Sequence, residues 1–384
     1  MSSLLSSSSA IVGVGRTACS RNSGTTEADL ALRAISAAIV DAGIEATDID
    51  GFVPYVLGAP SEDVLEGLGI VDVRMAATTV MGGAGPVAGL KLAAMALAAG
   101  VVRYVVVYVA RNGASQSRVE SRAIVVPGKT MRAQLERPAG MSLPVQWFSL
   151  MARRHMEEYG TTREHFGEVA IAARAFANLN PDAQMYEKTM TMEDYLNSRP
   201  IADPYHLLDC CLESDGAAAV ILTTAKNAED HHRPVYVAGV GEGHAESSAS
   251  FVSRKNFFDI GLKRAAPIAF EMAGLTPDDM DLAYIYDCFT FEVIHQLESA
   301  GFCGEGEGGA FVEGGRIGPG GALPVNTGGG LLSDGHLAHM NGIVEAAVQL
   351  TGRAGRRQVD GARNVFLSGF GDMGDGTAAV LVAG

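Results

Sequence analysis

Ala10-Ile11-Val12-Gly13-Val14-Gly15 and Val235-Tyr236-Val237-Ala238-Gly239-Val240-Gly241 are two versions of one motif. Each is a short apolar run closed by Gly-x-Gly, and each leads through an irregular loop into an Ala-containing helical stretch. The two stretches end alike, at Asp41-Ala42-Gly43-Ile44 with Asp48-Ile49-Asp50 following, and at Met272-Ala273-Gly274-Leu275 with Asp279-Met280-Asp281 following. Glycine at a helix C-terminus permits a left-handed cap. The next segments, 51–55 and 282–286, read as short apolar strands. A third correspondence links an apolar helix over 85–99 and a strand over 104–110 with a helix over 341–350 and a strand over 365–368. A last strand, 378–382, closes the chain. Taken alone, Gly239-Val240-Gly241 also begins like a dinucleotide fingerprint, but the third glycine, the immediate helix and the acidic residue do not follow in register.

A pattern used twice predicts an α/β chain of two halves, about 1–233 and 234–384, packed as pseudo-symmetric twins. The first half carries an insertion of roughly 115–200 that holds the only tryptophan, Trp147. Helical periodicity fits 149–159 and 162–179, and Thr161 with Glu164 has the spacing of a capping box. Excursions of this length from an α/β core commonly wall a binding site. The apolar set Met141, Leu143, Trp147, Phe148 and Leu150 suits a bulky hydrophobic substrate and suits a core equally well.

The 384 residues are 47% hydrophobic and 19% charged, ordinary material for a folded core. No apolar run reaches the roughly 18–20 residues that span a bilayer; the nearest, 95–110, is interrupted by Arg103. The Ser-rich first nine residues lack the basic start of a signal peptide and read as a loose tail. Five cysteines without CxxC spacing argue for a reducing, cytoplasmic setting and against a zinc site. The net charge of −15 disfavours nucleic acid. It leaves room for an anionic ligand such as CoA, which needs only a local patch of donors.

The stretches Leu179-Asn180-Pro181-Asp182-Ala183-Gln184, Leu196-Asn197-Ser198-Arg199-Pro200-Ile201-Ala202-Asp203-Pro204, Leu208-Asp209-Cys210-Cys211 and Ser214-Asp215-Gly216-Ala217-Ala218-Ala219-Val220 resemble the thiolase superfamily, in its sterol-carrier-protein and lipid-transfer branch. Tyr286-Asp287-Cys288-Phe289-Thr290 sits where that branch has a His-Asp-Cys-Phe block. Gly328-Gly329-Gly330-Leu331-Leu332-Ser333-Asp334-Gly335-His336 sits where thiolases have a Gly-Gly…Gly-His loop. The resemblance implies a five-layer αβαβα fold, a homodimer and a CoA thioester as substrate, with no covalently bound cofactor. Three positions depart from it. The helix-opening turn Val80-Met81-Gly82-Gly83-Ala84-Gly85-Pro86 has Gly83 where the nucleophilic cysteine belongs. Ser368, in the final Gly-rich loop 368–374, stands for the second cysteine, and Tyr286 replaces the histidine of its block. The pattern is similar to thiolase-like aldolases of steroid side-chain degradation, which imply tyrosine chemistry on a β-hydroxyacyl-CoA and a small partner made of an OB-fold and a zinc ribbon. Some of these use a second, later tyrosine, and no tyrosine follows Tyr286 here.

Retro-aldol cleavage needs proton transfer at the β-hydroxyl, donors for the thioester oxygen and a proton for the α-carbon, but no covalent nucleophile. Tyr286 is the candidate for proton transfer, against a buried tyrosine that only caps a strand. Its neighbour Asp287 is expected to turn away towards backbone N–H groups. His336 is the candidate oxyanion donor or acid, against a loop histidine held by Asp334 or a carbonyl. Gly82, Gly83 and Gly85 offer backbone N–H groups at a helix N-terminus, or else merely a tight contact. Gly329 and Gly330 let the backbone approach a ligand. His339 reads equally as a pocket group and as part of the next helix's first turn. Cys288 and Cys210-Cys211 read as core thiols, His231-His232 as surface, and Arg153-Arg154-His155 as a solvated face within reach of CoA phosphates. Two other readings stay open: an acyltransferase that borrows a partner's nucleophile, and a non-catalytic acyl-CoA or lipid-binding scaffold.

Overall fold

The computed structural model describes residues 4–116, 134–247, 253–371 and 374–384. Asp372 and Met373 of the final Gly-rich loop, and part of the insertion, lie outside the described residues. Counting helices of two turns or more, the chain runs β1 (Ser9–Arg16), α1 (Glu27–Ala42), β2 (Gly51–Pro54), α2 (Ser61–Leu68), β3 (Met75–Ala76), α3 (Gly85–Ala98) and β4 (Tyr104–Asn112). The insertion adds α4 (Pro144–Tyr159), α5 (Arg163–Ala177) and the pair β5 (Pro200–Ala202) and β6 (Tyr205–His206), before β7 (Asp215–Thr224). Then come β8 (Val235–Gly243), α6 (Leu262–Ala273), β9 (Leu282–Tyr284), α7 (Thr290–Ala300), α8 (Met340–Leu350), β10 (Asn364–Gly371) and β11 (Asp375–Ala383).

The strand order is β3-β2-β4-β7-β1-β8-β11-β10-β9, which reads β2-β4-β7-β1 on one side and the same sequence reversed on the other. The pairing senses repeat as well. β2–β4 and β9–β10 are parallel; β4–β7 and β10–β11, and β7–β1 and β11–β8, are antiparallel. The half-sheets join where Ala10 pairs with Tyr236 and Ile11 with Val235. Helix α1 covers the outer face of the first half-sheet and α6 that of the second, while α3 and α8 touch strands of both. That gives the five layers αβαβα. Helix α3 is apolar nearly all round, with Val87, Leu90, Ala93 and Leu97 buried, as a central layer requires.

The repeated Gly-x-Gly motif is a packing device. A Cβ on Gly13 or Gly15 would lie 2.3 or 2.1 Å from the Ala38 or Ala34 carbonyl oxygen of α1. On Gly239 or Gly241 it would lie 2.0 or 1.9 Å from the Ala269 or Ala265 oxygen of α6. Glycine lets each half press its first helix onto its first strand, and no nucleotide is needed to account for the motif.

Several expectations are corrected. The opening segment is tied down from residue 5 onward: Ser6 Oγ donates to the Met272 carbonyl at 3.0 Å and Ser7 N to the Val237 carbonyl at 3.1 Å. Helix α4 starts at Pro144, whose fixed φ suits a first helical position. The N-cap of α5 is Thr162, not Thr161; Thr162 N donates to His165 Nδ1 at 3.1 Å, while Thr161 Oγ1 is hydrogen-bonded to His155 Nδ1 at 2.8 Å. Strand β9 ends at Tyr284, two residues before Tyr286. Among the described residues no helix is long and apolar enough to cross a membrane.

Candidate active site

Tyr286 leaves the end of β9 with its backbone held on both sides. Its N–H donates to Ser368 Oγ at 3.3 Å, and its carbonyl accepts from Gln296 Nε2 at 2.6 Å. Ser368 Oγ in turn donates to Gln296 Oε1 at 2.8 Å, which closes the clamp. Asn326 does the same for Ile285, accepting from its N–H and donating to its carbonyl. Ser368, expected from the resemblance to stand for a second cysteine, is fully buried and is an anchor for the Tyr286 backbone. Asp287 turns away as expected, and its carboxyl accepts from Leu331 N at 2.8 Å and Leu332 N at 3.2 Å. Burial nevertheless raises its pKa to about 8.

The Tyr286 ring lies over Gly83. A Cβ on Gly83 would come within 2.2 Å of Tyr286 Cζ, 2.3 Å of Cε2 and 2.5 Å of the Phe370 carbonyl oxygen. The phenol therefore occupies the volume a side chain at residue 83 would need. Burial pushes its pKa well above the ordinary phenol value, with Cys288 and Cys211 adding to the rise, so the resting group is a neutral phenol.

His336 stands edge-on to Tyr286, with ring centroids 6.4 Å apart and planes at 87°. Its Nδ1 receives Arg111 Nη1 at 3.3 Å and Ala338 N at 3.3 Å. Both partners are donors, which assigns the imidazole proton to Nε2. The His336 N–H donates to Ser214 Oγ at 3.0 Å. Asp334 is occupied elsewhere, by Arg16 at 2.8 Å and Asn341 Nδ2 at 2.8 Å, and does not hold His336.

Tyr286, His336, Gly82 and Gly83 line one cavity of about 500 Å³. Gly82–Ala84 form a 3₁₀ turn that runs directly into α3, so the positive end of a long buried helix points at the cavity floor. The other walls are largely apolar: Leu143, Val145, Trp147 and Phe148 from the insertion, Ile201 and Leu207 beyond it, and Phe289 and Phe370. The Phe148 ring packs 5.3 Å from Phe289 and 5.5 Å from Phe370. Of the insertion's apolar set, Leu143, Trp147 and Phe148 face the cavity, Met141 packs on the core and Leu150 is exposed.

The remaining candidates lie elsewhere or play other parts. Gly85, Gly329 and Gly330 are buried outside the cavity lining. A Cβ on Gly329 would meet Ala177 at 2.8 Å, and one on Gly330 would meet Asp287 Oδ2 at 2.0 Å. Cys210, Cys211 and Cys288 do line the cavity, but burial raises all three thiols, Cys210 to about 12, which suppresses the thiolate. Arg153 pairs with Asp203 and Arg154 with Glu158, while His155 is buried against Thr161 and Glu298. His231 bonds to Tyr104 and the Ala42 carbonyl. His339 caps α8 in left-handed conformation (φ 74°), its buried ring centroid 6.0 Å from that of Tyr286. Arg111 escaped the sequence reading; its signal was a cation ending the apolar run Val105-Val106-Val107-Tyr108-Val109-Ala110. Among the described residues no cluster of ligands suits a metal.

Known proteins share this architecture. Residues 243–383 match the family model described as thiolase C-terminal domain-like. A steroid side-chain-cleaving aldolase of Thermomonospora curvata is 36% identical, over 96% of this chain and 97% of its own. A 17-hydroxy-3-oxo-4-pregnene-20-carboxyl-CoA lyase of Mycobacterium tuberculosis is 38% identical, over 91% of this chain and 93% of its own. The solved Ltp2-ChsH2(DUF35) aldolase superposes with a TM-score of 0.91 at 36% identity, covering 99% of both chains. Human mitochondrial 3-ketoacyl-CoA thiolase, at 15% identity and a TM-score of 0.73, shares the fold. The chain belongs to the thiolase superfamily, in the branch of thiolase-like aldolases that includes the steroid side-chain-cleaving enzymes.

Proposed function

We propose that this chain is a carbon–carbon lyase that cleaves a bulky β-hydroxyacyl-CoA, of the kind met in steroid side-chain degradation, into a ketone and a short acyl-CoA. The observation that carries the reading is the Tyr286 ring standing over Gly83, where a side chain at that position would have to be. Tyr286 meets the β-hydroxyl, and His336 Nε2–H with the N–H groups of the Gly82–Gly83 turn receives the thioester oxygen. As the Cα–Cβ bond breaks, its electron pair passes to the thioester as an enolate and the β-carbon becomes the ketone. The step releases one proton from the β-oxygen and consumes one at the α-carbon. A neutral phenol that gives up its own proton and takes the released one ends unchanged, so the raised pKa of Tyr286 suits a shuttle and does not demand a resting phenolate. Removing one preorganised oxyanion donor typically costs about 10²–10³ in kcat.

The apolar walls supplied by Trp147, Phe148, Phe289 and Phe370 support a polycyclic or similarly bulky acyl group. The related aldolase structure with a DUF35 component supports a partner of that type here, which we take to be an OB-fold with a zinc ribbon bound to a homodimer of this chain. Two thiolase-like halves, 1–233 and 234–384, with the insertion at about 115–200, describe the domain plan, and Gly85, Gly329 and Gly330 act as support behind the site. The free cysteines support a cytoplasmic setting. The test is incubation of a tertiary β-hydroxyacyl-CoA with the chain and its DUF35-type partner, followed by mass spectrometry. Ketone and short acyl-CoA in equal amounts are expected; CoA binding without turnover across a broad thioester panel would instead mark a scaffold.

A further inference from the structure

The geometry points to Arg111 as a positioning residue that fixes which nitrogen of His336 carries the proton, and so aims an N–H at the thioester oxygen. The inference rests on the aldolase reading and adds the element that makes its oxyanion donor dependable.

Strand β4 is apolar and buried until its end, where Arg111 is only 5% exposed and lines the cavity. Among the described residues it has no carboxylate at ion-pair distance; its hydrogen-bond partner is His336 Nδ1, at 3.3 Å. A buried cation without a counter-charge is costly, and an apolar residue would continue the strand pattern at no such cost. The guanidinium offers donors only and has no acceptor capacity. With Ala338 N also donating to Nδ1 at 3.3 Å, that nitrogen has no room for a proton of its own. The other end of the residue is equally fixed: His336 N–H donates to Ser214 Oγ, which donates to Gln184 Oε1 at 2.8 Å. The ring is thus held as the tautomer whose donor is Nε2. Without Arg111 only the Ala338 N–H still holds Nδ1 as an acceptor, and part of the population moves its proton to Nδ1, which turns an acceptor towards the enolate oxygen.

Two readouts test this. Nitrogen NMR of the ¹⁵N-histidine-labelled chain with its partner is expected to show His336 with a protonated Nε2 and an unprotonated Nδ1, and R111M is expected to show a mixture. An R111M spectrum identical to wild type overturns the proposal. In turnover, R111M is expected to lower kcat about 100-fold, as small misplacements of a catalytic group do, with KM within roughly threefold. In an H336A background the same change is expected to have no further effect, because Arg111 acts through the imidazole. If R111M slows H336A as much as it slows wild type, Arg111 does not act through His336 and the proposal fails. R111Q carries both readouts if R111M does not fold. The spectrum needs no turnover, so a fixed tautomer in a chain that cleaves no β-hydroxyacyl-CoA sinks the aldolase reading while upholding the role of Arg111.

Discussion

The ring of Tyr286 and the space above Gly83 are one and the same volume: a methyl group on Gly83 would lie 2.2 Å from Tyr286 Cζ. A thiol at residue 83 and a phenol at residue 286 are therefore alternatives. A cysteine placed at residue 83 would displace the Tyr286 ring from where it stands. G83A is expected to displace the phenol, cut turnover by about 100-fold or more and destabilise by about 1–3 kcal/mol through overpacking. Adding Y286A to G83A should recover the stability but not the activity. Thermal unfolding beside product assay reads both effects, and a fully active G83A would show that the ring has somewhere else to go.

S368A probes the clamp on the Tyr286 backbone. Ser368 Oγ joins Tyr286 N to Gln296 Oε1 inside a fully buried site. Removing it strands two polar groups, each worth about 1–3 kcal/mol when buried unpaired. S368A is expected to lower stability by that order and to reduce kcat through a loosened Tyr286, and wild type is expected to carry no acyl group on Ser368. An acylated Ser368 peptide in the mass spectrum would assign it a nucleophilic role and contradict the anchor reading.

His339 gives a pH signature. Burial lowers its pKa from the ordinary 6.5 to about 4, against a weaker upward pull from the Tyr284 backbone. The folded state then binds fewer protons than the unfolded state between those values, so this residue's contribution is intact above about pH 6.5 and is lost as pH falls towards 4. H339N keeps a residue that tolerates the left-handed backbone and removes the titration. Its unfolding free energy should fall less steeply than that of wild type over this window, by up to about 1.4 kcal/mol per pH unit. Parallel curves from denaturant titrations at several pH values would show that His339 does not charge on unfolding.

Much of the fold was legible because pseudo-symmetry writes itself twice. Two Gly-x-Gly strands, two glycine-capped helices and two apolar strands at matched spacing are hard to produce without a repeat. What the sequence could not show was why the glycines were there: a carbonyl of α1 or α6 occupies the place of each missing Cβ, and that is a fact about packing. Tyr286 and His336 were legible through their neighbours in the motif blocks. Arg111 and the Ser368–Gln296 clamp were not, since each acts across distant segments that only the folded sheet brings together. Nor could periodicity divide Met141 and Leu150 from Leu143, Trp147 and Phe148. Substrate-facing and core-facing apolar residues obey the same spacing, and only the cavity separates them.

The most direct measurement is single-turnover cleavage of a tertiary β-hydroxyacyl-CoA by wild type and Y286F, each saturated with the DUF35-type partner. No described residue is hydrogen-bonded to the Tyr286 hydroxyl, so Y286F should fold as stably as wild type, within about 0.5 kcal/mol. The account predicts a rate lower by about 10²–10⁴ for Y286F, in the range of lost acid–base catalysis, with no covalent acyl-enzyme in either protein. A Y286F enzyme that cleaves as fast as wild type would contradict it.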